Sequence, residues 1–276
     1  MKLLIHTSFI LCCLYSLPGH SQLSDSLSLR QRYENETIYL QGKHYIKGGQ
    51  PTRFSYISIE KEFTFSREAY SEFLLSAKDH ASARKSNYLA LGLYVGSILV
   101  LVNDQKGSAF IPLAGSLVAY GYGLHYRIRS GNRFQHALWV RNRDVLLEGG
   151  PDSAALRSRY ENETIHLERG RHVKGNQVIS SRHKAFDKEF VFSIDGLEEL
   201  KRSRQEYKKA LPFSLLGLGL VVSSFVFSTH HEQTASYIAL GGALVTISIS
   251  NHFQYKSLIR LRKAIWLRNR DVLLKN

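Results

Sequence analysis

Residues 88–102 read Tyr-Leu-Ala-Leu-Gly-Leu-Tyr-Val-Gly-Ser-Ile-Leu-Val-Leu-Val, and residues 108–124 read Ser-Ala-Phe-Ile-Pro-Leu-Ala-Gly-Ser-Leu-Val-Ala-Tyr-Gly-Tyr-Gly-Leu. The short polar link Asn103-Asp104-Gln105-Lys106-Gly107 joins them, so the pair reads as an apolar helical hairpin spanning 88–124. A second hairpin, 210–249, is built from Ala210–Ser228 and Ala235–Ile249 around the link Thr229-His230-His231-Glu232-Gln233-Thr234. Each run has about the length at which a helix begins to cross the hydrocarbon of a bilayer.

The flanks repeat with the hairpins. Arg30-Gln31-Arg32-Tyr33-Glu34-Asn35-Glu36-Thr37-Ile38 returns as Arg157-Ser158-Arg159-Tyr160-Glu161-Asn162-Glu163-Thr164-Ile165. Lys61-Glu62-Phe63 returns as Lys188-Glu189-Phe190. Trp139-Val140-Arg141-Asn142-Arg143-Asp144 returns as Trp266-Leu267-Arg268-Asn269-Arg270-Asp271. All three pairs share an offset of 127 positions, and the turn-rich Gly149-Gly150-Pro151-Asp152-Ser153 marks the junction. Residues 22–150 and 151–276 therefore read as two tandem repeats.

The expected fold class is α+β and mainly helical. Each repeat would hold a small β-hairpin or sheet, an amphipathic helix, a transmembrane helical hairpin and a basic C-terminal helix. In the first repeat Thr37–Leu40 and His44–Lys47 alternate about Gly42 as a hairpin, with Phe54–Ile59 as a third strand. Tyr70, Phe73, Leu74 and Ala77 keep a helical stripe, and Asp195 with Glu198 has capping-box spacing, Ser66 lying one residue off the equivalent place. Pro212 marks a kink or the first turn of a separate span.

Glycines recur along the apolar runs: Gly92, Gly96 and Gly115 in the first hairpin, Gly217, Gly219, Gly241 and Gly242 in the second. In a water-soluble helix each costs about 0.5–1 kcal/mol against alanine. In lipid, small residues let helix backbones approach closely. These seven are the expected helix-packing positions, and the two hairpins together suggest a four-helix bundle.

Residues 1–21 read as a signal peptide, with Lys2, the apolar Leu3–Leu17 and small residues Gly19 and Ser21 before a cut at Gln22. Cys12 and Cys13, the two cysteines of the chain, fall in that segment, which leaves the mature chain without disulfide or thiolate chemistry. The formal charge of +14 calls for an anionic partner: lipid headgroups, an acidic protein or an acidic envelope polymer, with nucleic acid set aside for an exported chain. A signal peptide followed by two hairpins places the flanks on the periplasmic side of a bacterial inner membrane. The basic flanks and nearly uncharged links argue the opposite orientation, and the export signal is the reading favoured here.

The sharpest shared polar element is Trp-x-Arg-Asn-Arg-Asp. Trp139, Arg141, Arg143 and Asp144, with Trp266, Arg268, Arg270 and Asp271, form a candidate docking surface for an acidic partner or a headgroup, or else a lock of the helix against its own unit. Helical spacing puts Trp139 beside Arg143 and Arg141 beside Asp144. His230-His231-Glu232 is the most metal-like cluster but lacks a full ligand set and has no counterpart in the first repeat. His125 and His252 hold equivalent places past the second runs and would titrate together if they faced each other. No catalytic residue, cofactor motif or metal site is assigned.

The order of parts resembles a group of short, uncharacterised bacterial membrane proteins with a signal peptide, an opening like I-Y-L-x-x-G-K-x-Y-x-K-x-G, a Gly-rich apolar hairpin and an ending like K-A-V-x-L-Y-N. The residues that carry it are Ile38-Tyr39-Leu40, Gly42-Lys43 and Tyr45, with the endings His136–Asn142 and Lys263–Asn269. The chain departs from that group in being doubled and in carrying Arg where the ending has Tyr. The resemblance implies the topology and no chemistry. The expected function is a non-catalytic envelope scaffold or interaction protein with room for a homo-oligomer; the alternative is a small channel or permease through a four-helix bundle, lined by Ser97, Ser116, Ser223, Ser224 and Thr246.

Overall fold

The computed structural model describes residues 28–102, 110–148, 153–168, 170–180, 184–229 and 232–275. The expected signal peptide, the link 103–107, most of the junction 149–153 and the pair His230-His231 lie outside them. The chain is mainly helical, with two small three-stranded antiparallel sheets.

Helix α1 covers residues 28–36 and leads into β1 (Ile38–Gln41), β2 (His44–Lys47) and β3 (Gln50–Arg53). The sheet is a meander, with Ile38 opposite Lys47 and Lys47 opposite Gln50. Gly48 and Gly49 both have positive φ, 54° and 73°, which a two-residue hairpin turn requires. That turn recruits Gln50–Arg53 as the third strand. Pro51 lies in this edge strand, where a missing N–H does least harm. The expected strand Phe54–Ile59 is instead helix α2 (Tyr56–Ile59), because Ser55 and Ser58 exchange the two bonds of a capping box.

A short 3-10 turn, Glu60–Glu62, then precedes α3 (Arg67–Val102, 36 residues) and α4 (Phe110–Leu147, 38 residues). Helix α5 (Ser153–Glu163) leads into β4 (Ile165–Glu168), β5 (Arg171–Lys174) and β6 (Gln177–Ile179). The chain ends with α6 (Lys184–Lys188), α7 (Ile194–Thr229, 36 residues) and α8 (Gln233–Leu274, 42 residues). The amphipathic helix and first apolar run are one helix, as are the second run and the basic C-terminal segment. Pro212 sits inside α7 without ending it. Ser66 and Ser193, which are 127 apart, accept from the backbone N–H of Ala69 and Gly196 at 3.2 Å, so the start of α7 lies two residues before the expected Asp195 cap.

The two long helices of each hairpin meet along a seam of small residues at seven-residue spacing. On α3 these are Ala69, Ser76, Ala83, Ala90 and Ser97; on α4, Ser116, Gly123, Ser130 and Ala137, all buried. On α7 they are Gly196, Ser203, Ala210, Gly217 and Ser224, facing Ala243, Ser250, Ser257 and Ala264 of α8. A strict seven-residue period keeps one face toward the partner as the helices coil left-handedly. Small side chains bring the backbones close enough for hydroxyls to reach across. Ser76 Oγ donates to Ser130 O at 2.9 Å while Ser130 Oγ donates to Ser76 O at 3.0 Å. Ser203 Oγ donates to Ser257 O at 2.8 Å, and Ser250 Oγ to Ala210 O at 3.2 Å.

The expected stripe is displaced accordingly. Phe73 is buried, but Leu74 faces out and the seam runs through Ala69 and Ser76. Many large apolar side chains of the apolar runs, Leu99, Leu117, Leu215 and Ile238 among them, are exposed.

Among the described residues no helix is long and apolar enough to cross a membrane. This overturns the transmembrane hairpins, the classification as a membrane protein and the inner-membrane location. All four long helices exceed the roughly 20 residues a span needs. Gly, Ser and Tyr interleave with Leu and Val in the apolar runs, and each helix continues into a charged half.

The chain divides into two compact units whose limits differ from the sequence repeats. One is continuous, Phe54–His183; the other joins Met1–Arg53 to Lys184–Asn276. The continuous unit thus pairs the α3–α4 hairpin with α5 and the β4–β6 sheet. The joined unit pairs α1 and the β1–β3 sheet with the α7–α8 hairpin. Each sheet packs on the basic half of its long helix, β4 on α4 and β1 on α8.

Candidate functional site

The doubled Trp-x-Arg-Asn-Arg-Asp element occupies the last turns of α4 and α8, where each hairpin meets its sheet. In the joined unit Trp266 Nε1 donates to Thr37 Oγ1 at 2.9 Å, and Tyr33 Oη donates to Trp266 O at 2.9 Å. Tyr39 packs on the indole with ring centroids 4.6 Å apart. In the continuous unit Trp139 Nε1 donates to Thr164 Oγ1 at 2.9 Å and Tyr160 Oη to Trp139 O at 3.0 Å. His166 takes the place of Tyr39, stacked on Trp139 at 4.1 Å. Burial raises the Tyr160 hydroxyl well above the usual phenol range and keeps it a donor.

The arginines turn inward. Arg141 and Arg268 are 2% and 0% exposed. Arg141 Nε donates to Glu62 O at 3.1 Å and its Nη2 to Glu62 Oε2 at 2.8 Å. Arg268 makes the same two bonds to Glu189, at 3.1 and 2.7 Å. The guanidinium fork so ties the end of each long helix to the turn ahead of α3 or α7. Arg143 spreads over Glu68 at 2.7 Å, Asp144 at 2.8 Å and Glu161 at 3.3 Å. Arg270 does likewise with Asp195 at 3.2 Å, Asp271 at 2.8 Å and Glu34 at 3.2 Å. Asp144 and Asp271 also accept from Ser66 and Ser193, the caps of α3 and α7.

The bonds that these eight residues make close within their own units. The expected stack of Arg143 on Trp139 is present at 5.9 Å. The expected Arg141–Asp144 pair is replaced by Arg141–Glu62 and Arg143–Asp144.

The glycines divide into two sets. A Cβ on Gly217 would meet Ile247 Cγ1 at 2.8 Å and Thr246 Oγ1 at 2.9 Å; on Gly242, Leu220 at 3.2 Å; on Gly115, Leu93 at 3.3 Å. These three serve close helix contact. A Cβ on Gly92, Gly96, Gly219 or Gly241 would meet nothing within 4 Å. Those four lie on open helix faces.

Around them the outward face is apolar. Leu99 is 60% exposed, Leu117 66%, Leu215 69% and Ile238 72%. No Asp, Glu, Lys or Arg occurs from Asn87 to Val102, Phe110 to Tyr126, Leu211 to Thr229 or Gln233 to Tyr255. Where these arms end, basic side chains are exposed: Arg84, Lys85, Arg127 and Arg129 on the first hairpin, Lys208, Lys209 and Lys256 on the second. His125 and His252 are exposed at the same level. Sequence reading placed basic flanks beside the apolar runs but missed which helix faces point outward, because the seam that decides it is written in Ala, Ser and Gly.

Three of the five hydroxyls considered for a pore are bonded within their own hairpins. Ser97 Oγ donates to Tyr94 O at 2.7 Å, Ser224 Oγ to Val221 O at 2.8 Å and Thr246 Oγ1 to Gly242 O at 3.0 Å. Among the described residues no group of three or more His, Cys, Asp or Glu side chains could hold a metal ion. Compared with protein-family models, curated proteins and solved structures, the chain matches none.

Proposed function

We propose that the protein is a non-catalytic interaction protein, built from two copies of one unit, whose hairpin arms and basic collars dock on an anionic lipid surface without crossing it. The observation that carries this reading is the sidedness of the hairpins. Small residues fill the seam, while Leu99, Leu117, Leu215 and Ile238 face outward. Directly beyond the apolar arms stand Arg84, Lys85, Arg127, Lys208, Lys209 and Lys256. An apolar zone edged by cations matches the boundary between acyl chains and anionic headgroups. A second copy of the chain would bring like charges to the same collar, which disfavours it as the occupant. The Trp-x-Arg-Asn-Arg-Asp residues support a non-catalytic role, since their charged groups are committed to bonds within each unit.

Co-sedimentation with vesicles tests the reading. Binding to phosphatidylglycerol vesicles that weakens as salt rises, is weak on phosphatidylcholine vesicles and is reversed by alkaline carbonate supports it. Equal binding to both vesicle types, binding only to an acidic protein, or resistance to carbonate contradicts it.

A further inference from the structure

We infer that residues 28–53 form an exchangeable clasp, able to close on α8 of a second copy of this chain as they close on their own. The two clasps share their hydrogen-bonding residues and differ in the ring on the tryptophan, Tyr39 in one and His166 in the other. Tyr33, Thr37 and Glu34 meet Trp266 and Arg270; Tyr160, Thr164 and Glu161, each 127 positions later, meet Trp139 and Arg143 through the same donors and acceptors. They differ in how the chain reaches them. Trp139 and Thr164 are 25 residues apart, joined by the end of α4, the short junction and α5. Trp266 and Thr37 are 229 apart, with the whole continuous unit inserted between.

The segment 28–53 thus carries a complete helix and sheet. It is held to α8 by noncovalent contacts, and on its C-terminal side the chain leaves the joined unit at Arg53–Phe54. An identical segment from another copy offers α8 the same tyrosine, threonine and glutamate. Exchange between two copies regenerates every bond of the clasp and buries the same surfaces, the condition under which swapping has little intrinsic cost. The crossing of sheet and hairpin between sequence repeats has the same origin: one repeat alone separates a sheet from the hairpin that it fits, and a second repeat supplies it. The chain is in this sense a covalently joined exchange dimer.

The test uses two full-length chains carrying different affinity tags, kept in mild detergent so that the apolar arms do not drive association. One chain carries Tyr33→Ala with Thr37→Ala, which spoils the segment; the other carries Trp266→Ala, which spoils the receiving helix. Unfolded together and co-refolded, they can build one intact clasp only in trans. Co-purification of the two tags, at least five-fold above that of either variant refolded with its own differently tagged copy, supports the exchange. No such excess overturns it. Should either variant fail to regain native helicity, differently tagged wild-type chains decide: co-purification that rises with refolding concentration and survives dilution supports exchange, and its absence at all concentrations overturns it.

Discussion

Trp266 and Thr37 share a hydrogen bond across 229 positions that Trp139 and Thr164 make across 25, with the same atoms and the same 2.9 Å length. Equal bonds closed over unequal loops should not be equally persistent. The longer closure costs up to about 2 kcal/mol more in chain entropy. Amide exchange measured by mass spectrometry should therefore show residues 28–53 opening more often than 153–179. Equal protection of the two segments would mean that the rest of the chain holds the ends of the joined unit together as firmly as a short loop does.

The glycines give a test whose sign depends on position. Gly92→Ala, Gly219→Ala and Gly241→Ala place a methyl in open space and should each stabilise the helix by about 0.5–1 kcal/mol. Gly217→Leu drives a side chain into Ile247 and Thr246 and should cost about 1–3 kcal/mol. Denaturant unfolding of the four variants reads both signs. Destabilisation by all four would place the seam elsewhere.

Arg141 and Arg268 are buried, each donating to one carboxylate and one backbone carbonyl as well as to the neighbouring asparagine. Removing the cation leaves these acceptors short of a donor, so Arg141→Ala and Arg268→Ala should each lower stability by about 3 kcal/mol or more. Lysine cannot reproduce the fork, and Arg141→Lys should recover less than half of that loss. Chemical denaturation followed by circular dichroism separates the three variants from wild type.

Acid should act on the continuous unit first. His166 is held to about 4 from 6.5, by burial and then by His136, and burial also lowers His172. His136 and His166 lie with ring centroids 6.2 Å apart, and their buried Nδ1 atoms have no hydrogen-bond partner. Above pH 6.5 both folded and unfolded chains hold His166 neutral. As pH falls from 6.5 toward about 4 the unfolded chain binds a proton that the folded one resists, so stability drops through that window. The equivalent positions in the joined unit are Lys263 and Tyr39, so that unit lacks this histidine pair. Fluorescence of Trp139 in a Trp266→Phe chain should thus report unfolding at higher pH than Trp266 in a Trp139→Phe chain. Coincident transitions would exclude the histidines as the cause.

Much of the local structure was legible in the residues. Gly42 and Gly48 announced the turns, and Thr37–Leu40 and His44–Lys47 alternate as strands do. The amphipathic segment and the apolar run that together form Arg67–Val102 were each legible as helix. Two features were not legible, for physical reasons. The search for a buried stripe followed large apolar residues and settled on Tyr70, Phe73, Leu74 and Ala77, whereas close antiparallel packing selects Ala69, Ser76, Ala83 and Ala90 for their smallness. That reversal turned the hairpins inside out and made outward leucines look like membrane spans. The crossing of sheets was hidden because an offset of 127 makes a partner in the same repeat and one in the other repeat equivalent by sequence. Only the three-dimensional pairing of Tyr33 with Trp266 distinguishes them. The Trp-x-Arg-Asn-Arg-Asp element was visible as a repeat, but not that Arg141 and Arg268 turn inward to Glu62 and Glu189.

The measurement that bears most directly on the proposed function is quenching of single tryptophans by brominated phosphatidylglycerol vesicles. Leu117→Trp or Leu218→Trp, each in a chain with Trp139→Phe and Trp266→Phe, reports the arms; native Trp139 and Trp266 report the clasps. Docking of the arms predicts strong quenching at 117 and 218 and little at 139 and 266. Quenching at none of the four, or equally at all four, would contradict it.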